Sequence, residues 1–580
     1  MLLDFFKKKK KIPAPWKKYY TDDELNIKIK NISLYKQVVE SSIKYPNYTA
    51  YEYFGKKVKY KKFIRQIDKC SYALKKYNVN KGDIITICLP NVPEALILFY
   101  ALNKIGAIAN MVHPLSAEEE IKLSLNSTRS KYLFAIDMCY SKINNIIDGT
   151  KVKKVVYIKA NDSLKLPLKI GYYFKNLNKY EHYKLNEKNT NWNLFMLNRL
   201  LVNKNKIKFK KNGKNTPAII LHSGGTSGIP KNVVLQNRAF ILGAKQEETV
   251  LKKLNPGDSC LGIMPNFHGF GISVLMHTPL TLGCYTILVP QIDSKKFDIL
   301  LKKTKPTCIL GVPTLFEALT NSNNVKHLDL SFMKYIVSGG DILQKGLEDK
   351  INTYLKEHNA NIEVTQGYGM TEALAAVTLA HDRINKSGSI GIPLPGNYIK
   401  IINPSTRETL PYNNIGEICI HTKALMLGYL NNEKETNEVL QMHEDGYVWL
   451  HTGDLGLMDE DGFIFYKGRI KRMIISSGYN IYPNHIEDII ESHPAVLQCT
   501  VVGMPHPYKK EVPKAYIVLK PGFHGLFIKT EIKEYCKKNL EYHMVPYKFV
   551  YRNNLPKTKL GKVDFKRLME DNDIDDDEGE

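Results

Sequence analysis

From about residue 83 the chain alternates short apolar runs with longer amphipathic ones, and this alternation restricts the fold more than any other feature. Asp83–Cys88, Ala109–Val112 and Lys131–Ile136 read as strands, and Pro93–Ile108 and Ala117–Asn126 as helices. Strands that take turns with helices form parallel sheets covered by helices, because a parallel crossover needs a long connection. The pattern resumes after Pro217 with a strand, a glycine-rich loop, a helix near Arg238–Lys252 and a strand near Leu261, and continues to about Ile336. From Gly388 it gives way to short strands and turns, such as Tyr398–Ile402 and Gly416–His421, as in a small β subdomain. Beyond Arg469 a second mixed stretch begins, with a helix at His485–Ser492 and strands near Gln498–Val502 and Lys514–Leu519. The expected class is α/β: a large N-terminal domain of several subdomains, one a small β unit, and a small α+β C-terminal domain.

Within this frame Pro217–Leu221 reads as a buried strand that feeds the loop Ser223-Gly224-Gly225-Thr226-Ser227-Gly228-Ile229-Pro230-Lys231. Glycines let an anion approach the backbone N–H groups, hydroxyls add donors, and the lysine adds a mobile positive charge. The composition suits the phosphates of a nucleotide, or else a plain turn. The spacing is not that of a Walker A loop, and Pro230 stands where such a loop's helix would begin.

Composition narrows the class further. A hydrophobic share of 43% with 10% aromatics belongs to a globular chain. The nine cysteines are scattered without C-x-x-C spacing, so neither a disulfide framework nor a zinc site is expected, and a reducing cytoplasm fits. Met1–Phe6 is too short for a secretory signal core. Asn266–Ile292 lacks Asp, Glu, Lys and Arg, but Pro279 and Gly283 interrupt it, so it reads as a buried helix and strand and not as a membrane span. Net charge is +25, with excess lysine in the first residues and in Asn161–Asn215, whose only acids are Asp162, Glu181 and Glu187. Nucleic acid, an anionic membrane surface and small anionic ligands all suit such a charge, and so does a compositional bias toward Lys, Asn, Ile and Tyr. No zinc-finger, RNP or homeodomain spacing accompanies it, so a nucleic-acid partner is not expected.

Six further segments complete the picture: Pro265-Asn266-Phe267-His268-Gly269-Phe270-Gly271; Ser338-Gly339-Gly340-Asp341; Gln366-Gly367-Tyr368-Gly369-Met370-Thr371-Glu372; His451-Thr452-Gly453-Asp454; Gly468-Arg469-Ile470-Lys471-Arg472; and Leu555-Pro556-Lys557-Thr558-Lys559-Leu560-Gly561-Lys562. With the glycine loop, their identity and order resemble the adenylate-forming superfamily of acyl-CoA synthetases, adenylation domains and beetle luciferases, from about Tyr51 to Leu568. The resemblance implies residues 51–470 as the AMP-binding domain and 471–569 as a mobile lid domain. A basic extension (1–50) and an acidic, disordered tail (570–580) flank them.

It also implies the chemistry. A carboxylate attacks the α-phosphorus of ATP, pyrophosphate leaves, and the acyl-AMP passes to CoA with release of AMP. Because both reactants are anions, charge must be neutralised and the attack aligned. By resemblance, Ser223, Gly224, Gly225, Thr226, Ser227, Gly228 and Lys231 hold the β- and γ-phosphates. Thr371 meets the α-phosphate, and Glu372 with Thr226 holds Mg²⁺. Gly339, Gly340 and Tyr368 form the adenine slot, Asp341, Gln366, Gly367, Gly369 and Met370 complete the ATP/AMP-binding set, and Asp454 and Arg469 take the ribose. Lys562 is the adenylating lysine, Lys471 the hinge, and Ser477, Gly478 and Tyr479 flank the arm of CoA. His268, Gly269 and Phe270 line the acyl pocket, with His268 gating it or orienting the carboxylate. Departures from the usual pattern are Gly225 for threonine, Asn232 for glycine and Phe565 for arginine. No Asp stands in Phe267–Gly269 to pair a substrate ammonium, so a neutral acid is expected, most of all a medium- or long-chain fatty acid. Alternatives are an aryl acid, an acyl-AMP ligase serving a separate carrier protein, and a non-catalytic basic lipid- or nucleic-acid-binding protein. The expected place is the cytoplasm, with peripheral contact at the inner membrane face as a variant.

Overall fold

The computed structural model describes residues 12–175, 185–223, 230–325, 327–381, 384–476, 479–557 and 563–571, with backbone alone at 166, 172–175, 479 and 480. The lysines of 7–11 and the acidic tail from 572 lie outside these residues.

Two large sheets carry the N-terminal domain. The first has eight strands in the spatial order Gly428–Tyr429, Lys231–Gln236, Pro217–Ser223, Ile108–Met111, Ile84–Cys88, Tyr132–Ile136, Val155–Ile158 and Asn189–Asn191. From Pro217–Ser223 to the Asn189–Asn191 edge every pairing is parallel. The crossover helix Pro93–Ile105 shows why the sequence reads as alternating. Pro93 occupies its first turn, Gly106 ends it, and nearly every residue between is buried, so its apolar run is continuous.

The second sheet has nine strands, ordered Ile392–Pro393, Ala375–Leu379, Thr365–Met370, Tyr335–Gly339, Cys308–Gly311, Ser259–Gly262, Tyr285–Leu288, Thr49–Tyr53 and Lys56–Lys59. Strands 335–339 and 365–370 run parallel, pairing Gly339 with Gly367. Both therefore deliver their motif residues to the carboxyl end of the sheet, where ligands of open α/β sheets bind. The charge-free stretch is a buried π-helix, Phe270–His277, continued by Thr278–Leu282 and the strand Tyr285–Leu288. None of the described helices is long and apolar enough to cross a membrane.

A five-stranded sheet forms the small β unit, with the long strand Val448–Met458 pairing Gly416–His421, Leu440–Met442 and Ile464–Arg469. The C-terminal domain holds another: Ile474–Ser476, Tyr479–Ile481, Val496–His506 and Lys510–Leu519 in antiparallel pairs, with Lys548–Tyr551 parallel to the last. Its helices Pro483–Glu491 and Leu526–Asn539 bury Ile486, Ile490, Ile532 and Cys536 in a separate apolar core.

Residues 12–50, read from sequence as a basic extension, are packed into the large domain. Trp16, Leu34 and Val38 are buried, the Tyr20 hydroxyl donates to the Pro393 carbonyl at 3.1 Å, and the Ser41 hydroxyl donates to Thr281 O at 2.9 Å. The described part of the segment holds only six lysines, and its apolar residues fix its place.

Candidate active site

The carboxyl ends of strands 335–339 and 365–370 open onto a cavity of about 2420 Å³. His222, Ser223 and Lys231 flank it from the first sheet; His268–Phe270, Gly339–Asp341 and Gln366–Glu372 line it from the second. Asp454 and Arg469 come from the β unit, and Lys471, Lys557 and Phe565 from the C-terminal side. Residues from all seven motifs thus border one space. The glycine-loop residues Gly224, Gly225, Thr226, Ser227 and Gly228 lie outside the described residues, as do Ser477, Gly478 and Lys562.

Asp454 is the best-defined group. The antiparallel register pairs it directly with Arg469, whose Nε lies 2.9 Å from Asp454 Oδ1. The Tyr368 hydroxyl donates to Asp454 Oδ2 at 2.7 Å. Burial, then the charge of Asp454, pushes the Tyr368 phenol well above its ordinary value, so it remains a donor. Behind the turn, Glu417 Oε1 accepts the Gly453 N–H at 3.0 Å and its Oε2 lies 3.0 Å from His451 Nδ1. Burial works to raise the Glu417 carboxyl, but these hydrogen bonds and the Arg407 charge hold it below the usual range. Among the described residues, Glu417, Cys419 and His451 bring potential metal-ligand atoms together. Arg407, 2.7 Å from His451 Nδ1, already supplies the positive charge at that point.

Glu372 is buried beside Thr371, which opens the single 3₁₀ turn Thr371–Ala373. Its Oε1 accepts the Tyr429 hydroxyl at 3.0 Å. Tyr429 in turn lies under Lys231, whose Nζ is 4.8 Å from the ring centroid and 2.5 Å from Glu435 Oε2. The short strand Gly428–Tyr429 reaches this point by pairing with Lys231–Gln236. One tyrosine therefore ties the lysine at the end of the glycine loop to the carboxylate on the other sheet. Sequence reasoning missed Tyr429 and Glu435: no motif surrounds them, and Tyr429 is one of 35 tyrosines. The nearest available signal was Asn432, whose side chain caps the helix that begins with Glu433.

Two glycines are explained by close approach. A Cβ on Gly369 would fall 1.3 Å from the Ala375 carbonyl, and one on Gly269 would fall 2.3 Å from the Leu374 carbonyl. The turn between them holds Leu374 at φ +73°, a conformation that costs a non-glycine residue about 1–3 kcal/mol. The acyl-pocket candidate Gly269 thus lies against the backbone of Leu374, the residue that ends the Thr371–Ala373 turn. His268 Nδ1 accepts the Phe270 N–H at 3.2 Å, and the neighbouring Phe267 ring lies 4.3 Å from that of His113. Gln366 faces Glu348 at 3.4 Å, Asp341 caps its own turn at Ile342, and Met370 completes the lining.

On the C-terminal side, Lys471 lies in the exposed turn Ile470–Arg472. Arg472 is anchored beyond it: its NH2 lies 2.5 Å from Glu487 Oε1, and its guanidinium stacks 3.7 Å from the Phe565 centroid. The position that departs from the family pattern is therefore a platform for Arg472. Lys557 and Val563 form an antiparallel bridge, reinforced by the Asp564 N–H donating to Pro556 O at 2.8 Å, and both border the cavity. Tyr479 pairs with Ser476 in the antiparallel register of Ile474–Ser476 and Tyr479–Ile481.

Comparison with known proteins fits this geometry. Residues 39–430 match the AMP-binding enzyme family and residues 485–562 the C-terminal domain of AMP-binding enzymes. The chain is 30% identical to a long-chain-fatty-acid–CoA ligase of Bacillus subtilis, over 96% of this chain and 98% of that one. It is 32% identical to a probable 4-coumarate–CoA ligase of Dictyostelium discoideum, over 78% and 79%. In fold it resembles ATP-bound MatB from Rhodopseudomonas palustris, with a TM-score of 0.79 at 22% identity, covering 93% and 98%. A match over two thirds of the chain, joined to near full-length identity with a ligase, leaves no other assignment: the chain belongs to the AMP-binding, adenylate-forming enzyme family, in its acyl-CoA ligase type.

Proposed function

We propose that this AMP-forming acid–CoA ligase acts on a medium- or long-chain fatty acid. The observation that carries the adenylating chemistry is the convergence of Tyr368, Asp454 and Arg469 on one cavity with Glu372 and the flanks of the glycine loop. In this reading Asp454 accepts two ribose hydroxyls and Tyr368 offers its face to the base. Lys231 and the loop 223–228 bind the terminal phosphates, and Thr371 meets the α-phosphate. Glu372 has one carboxylate oxygen held by Tyr429 and a second left for a hard cation, so the donor set fits Mg²⁺. Bound there, the ion would neutralise phosphate charge.

The first half-reaction forms a carboxylate oxygen–phosphorus bond at the α-phosphate and breaks the α–β bridge, releasing pyrophosphate. Lys562, which falls in sequence between the bridged residues Lys557 and Val563, neutralises in this reading the charge that develops there. In the second, the CoA thiolate attacks the acyl carbon and AMP departs, with Lys471 as pivot and Ser477, Gly478 and Tyr479 beside the thiol arm. For the acid, His268, Gly269 and Phe270 lead into an apolar wall that includes Val274, Leu310 and Leu379. The Bacillus relative matches along nearly its full length, which favours an alkyl chain. The Dictyostelium relative supports a second reading, an aryl acid. ATP–pyrophosphate exchange over acids from acetate to oleate, benzoate and coumarate, followed by CoA-dependent AMP release, tests both. Exchange confined to aryl acids overturns the fatty-acid reading, and exchange without CoA-stimulated AMP release points to a carrier-protein acceptor.

A further inference from the structure

The edge strand Asn189–Asn191 of the eight-stranded sheet leads into the helix Trp192–Leu197 and the turn Asn198–Leu201. Asn191 caps the helix by accepting the Leu194 N–H at 2.9 Å. Its inner face is complete: Trp192 and Phe195 are buried, with the Phe195 ring 5.1 Å from Phe134 and 5.3 Å from Tyr77. The outer face is also apolar. Leu194 and Leu197 are 44% and 49% exposed, and Leu200 and Leu201 are each 69% exposed. Positions 194, 197 and 201 follow helical spacing and share one stripe, where a surface helix ordinarily carries polar groups. Single exposed leucines are common, but four within eight residues form a patch.

Charge borders the patch. From Lys188 to Gln246 the sequence contains no aspartate or glutamate. Lys204, Lys206, Lys208, Lys210 and Lys211 follow the leucines and are exposed. Phe209 fixes this run to the protein, 5.9 Å from Tyr72 on the helix Tyr60–Lys76. That helix, against which the leucine turn packs, adds exposed Arg65, Lys69 and Lys76. Its one acid, Asp68, is held by Lys104 at 2.8 Å.

We propose that the leucines of 194–201 and the lysines of 204–211 together form a docking surface for an anionic lipid bilayer. The leucines enter the boundary between headgroups and acyl chains, and the lysines meet headgroup phosphates. Nucleic acid would leave the leucines without a partner. A second copy docked through the same face would set one lysine run against another, which like charge opposes. The surface lies outside the cavity and does not depend on the identity of the acid.

The test is sedimentation of the full chain with vesicles of phosphatidylcholine alone or mixed with phosphatidylglycerol, at low and high salt. The expected result is binding to the mixed vesicles that falls about tenfold at high salt, in a Leu200→Ser/Leu201→Ser variant, and in a Lys208→Gln/Lys210→Gln/Lys211→Gln variant. Unchanged melting temperature and unchanged pyrophosphate exchange with a short water-soluble acid show that both variants remain folded. No binding by the wild type, equal binding by either variant, or equal binding to neutral vesicles overturns the proposal. So does a variant whose one change is a shifted monomer–dimer balance, which would make the patch an interface between copies.

Discussion

The two walls of the cavity are held by different means. On the large-domain wall, Tyr368, Asp454 and Arg469 sit on strands, and the sheet register itself sets Asp454 opposite Arg469. On the C-terminal wall, Lys557 and Val563 meet in an antiparallel bridge, and the domain joins the rest through the turn Ile470–Arg472. The first wall is set by pairing within one sheet; the second is carried by a domain with an apolar core of its own. A change in the first should therefore weaken every step that involves the nucleotide, whereas a change in the second should separate the two half-reactions.

The sharpest test is Lys562→Ala. Adenylation should fall by about 10²–10³-fold, while thioester formation from supplied acyl-AMP survives, both read in single turnovers. Equal loss in the two would erase the contrast between the walls. Asp454→Ala should raise the KM for ATP by about 10–100-fold and also weaken use of supplied acyl-AMP, because Tyr368 and Arg469 lose their shared acceptor. Lys471→Pro should reverse the Lys562 result, slowing the thioester step about tenfold with adenylation nearly intact. Phe565→Ala removes the platform of Arg472 and should cost about 1 kcal/mol in urea unfolding without altering the KM for ATP.

The smallest effect concerns pH and the large-domain wall. Burial pushes the Glu247 carboxyl, on the helix Asn237–Val250, up to about 8 from 4.5. The folded chain thus holds this proton more tightly than the unfolded chain. The resulting stability is fully present below pH 4.5 and is lost as pH rises through 8. Glu247→Gln should flatten the fall in melting temperature across that range; an unchanged slope would place the pH dependence elsewhere.

The motif segments that border the cavity were legible because each sets glycine beside hydroxyl, aromatic or charged residues within a few positions, although residues 224–228 of the glycine loop lie outside the described residues. The alternation of strands and helices was legible because crossover helices such as Pro93–Ile105 are buried and capped by local residues. Tyr429 was not, since its place depends on two strands far apart in sequence pairing Tyr429 with Val233. Phe565 looked like a departure because its partner, Arg472, lies across the domain. The packing of residues 12–50 was not legible because its anchors, such as the Tyr20 hydroxyl on Pro393 and the Ser41 hydroxyl on Thr281, join positions far apart in sequence. Local chemistry can be read from a string of residues, but a contact between distant strands cannot.

Arg469 ends its strand one residue before the Ile470–Arg472 turn, and its side chain is fastened to Asp454. If the proposed ribose and hinge roles hold, a swivel at that turn would start from an anchor that a bound nucleotide stiffens or releases. Domain orientation and AMP departure would then be linked quantities: loosening one would lower the threshold for the other, with no messenger needed between them.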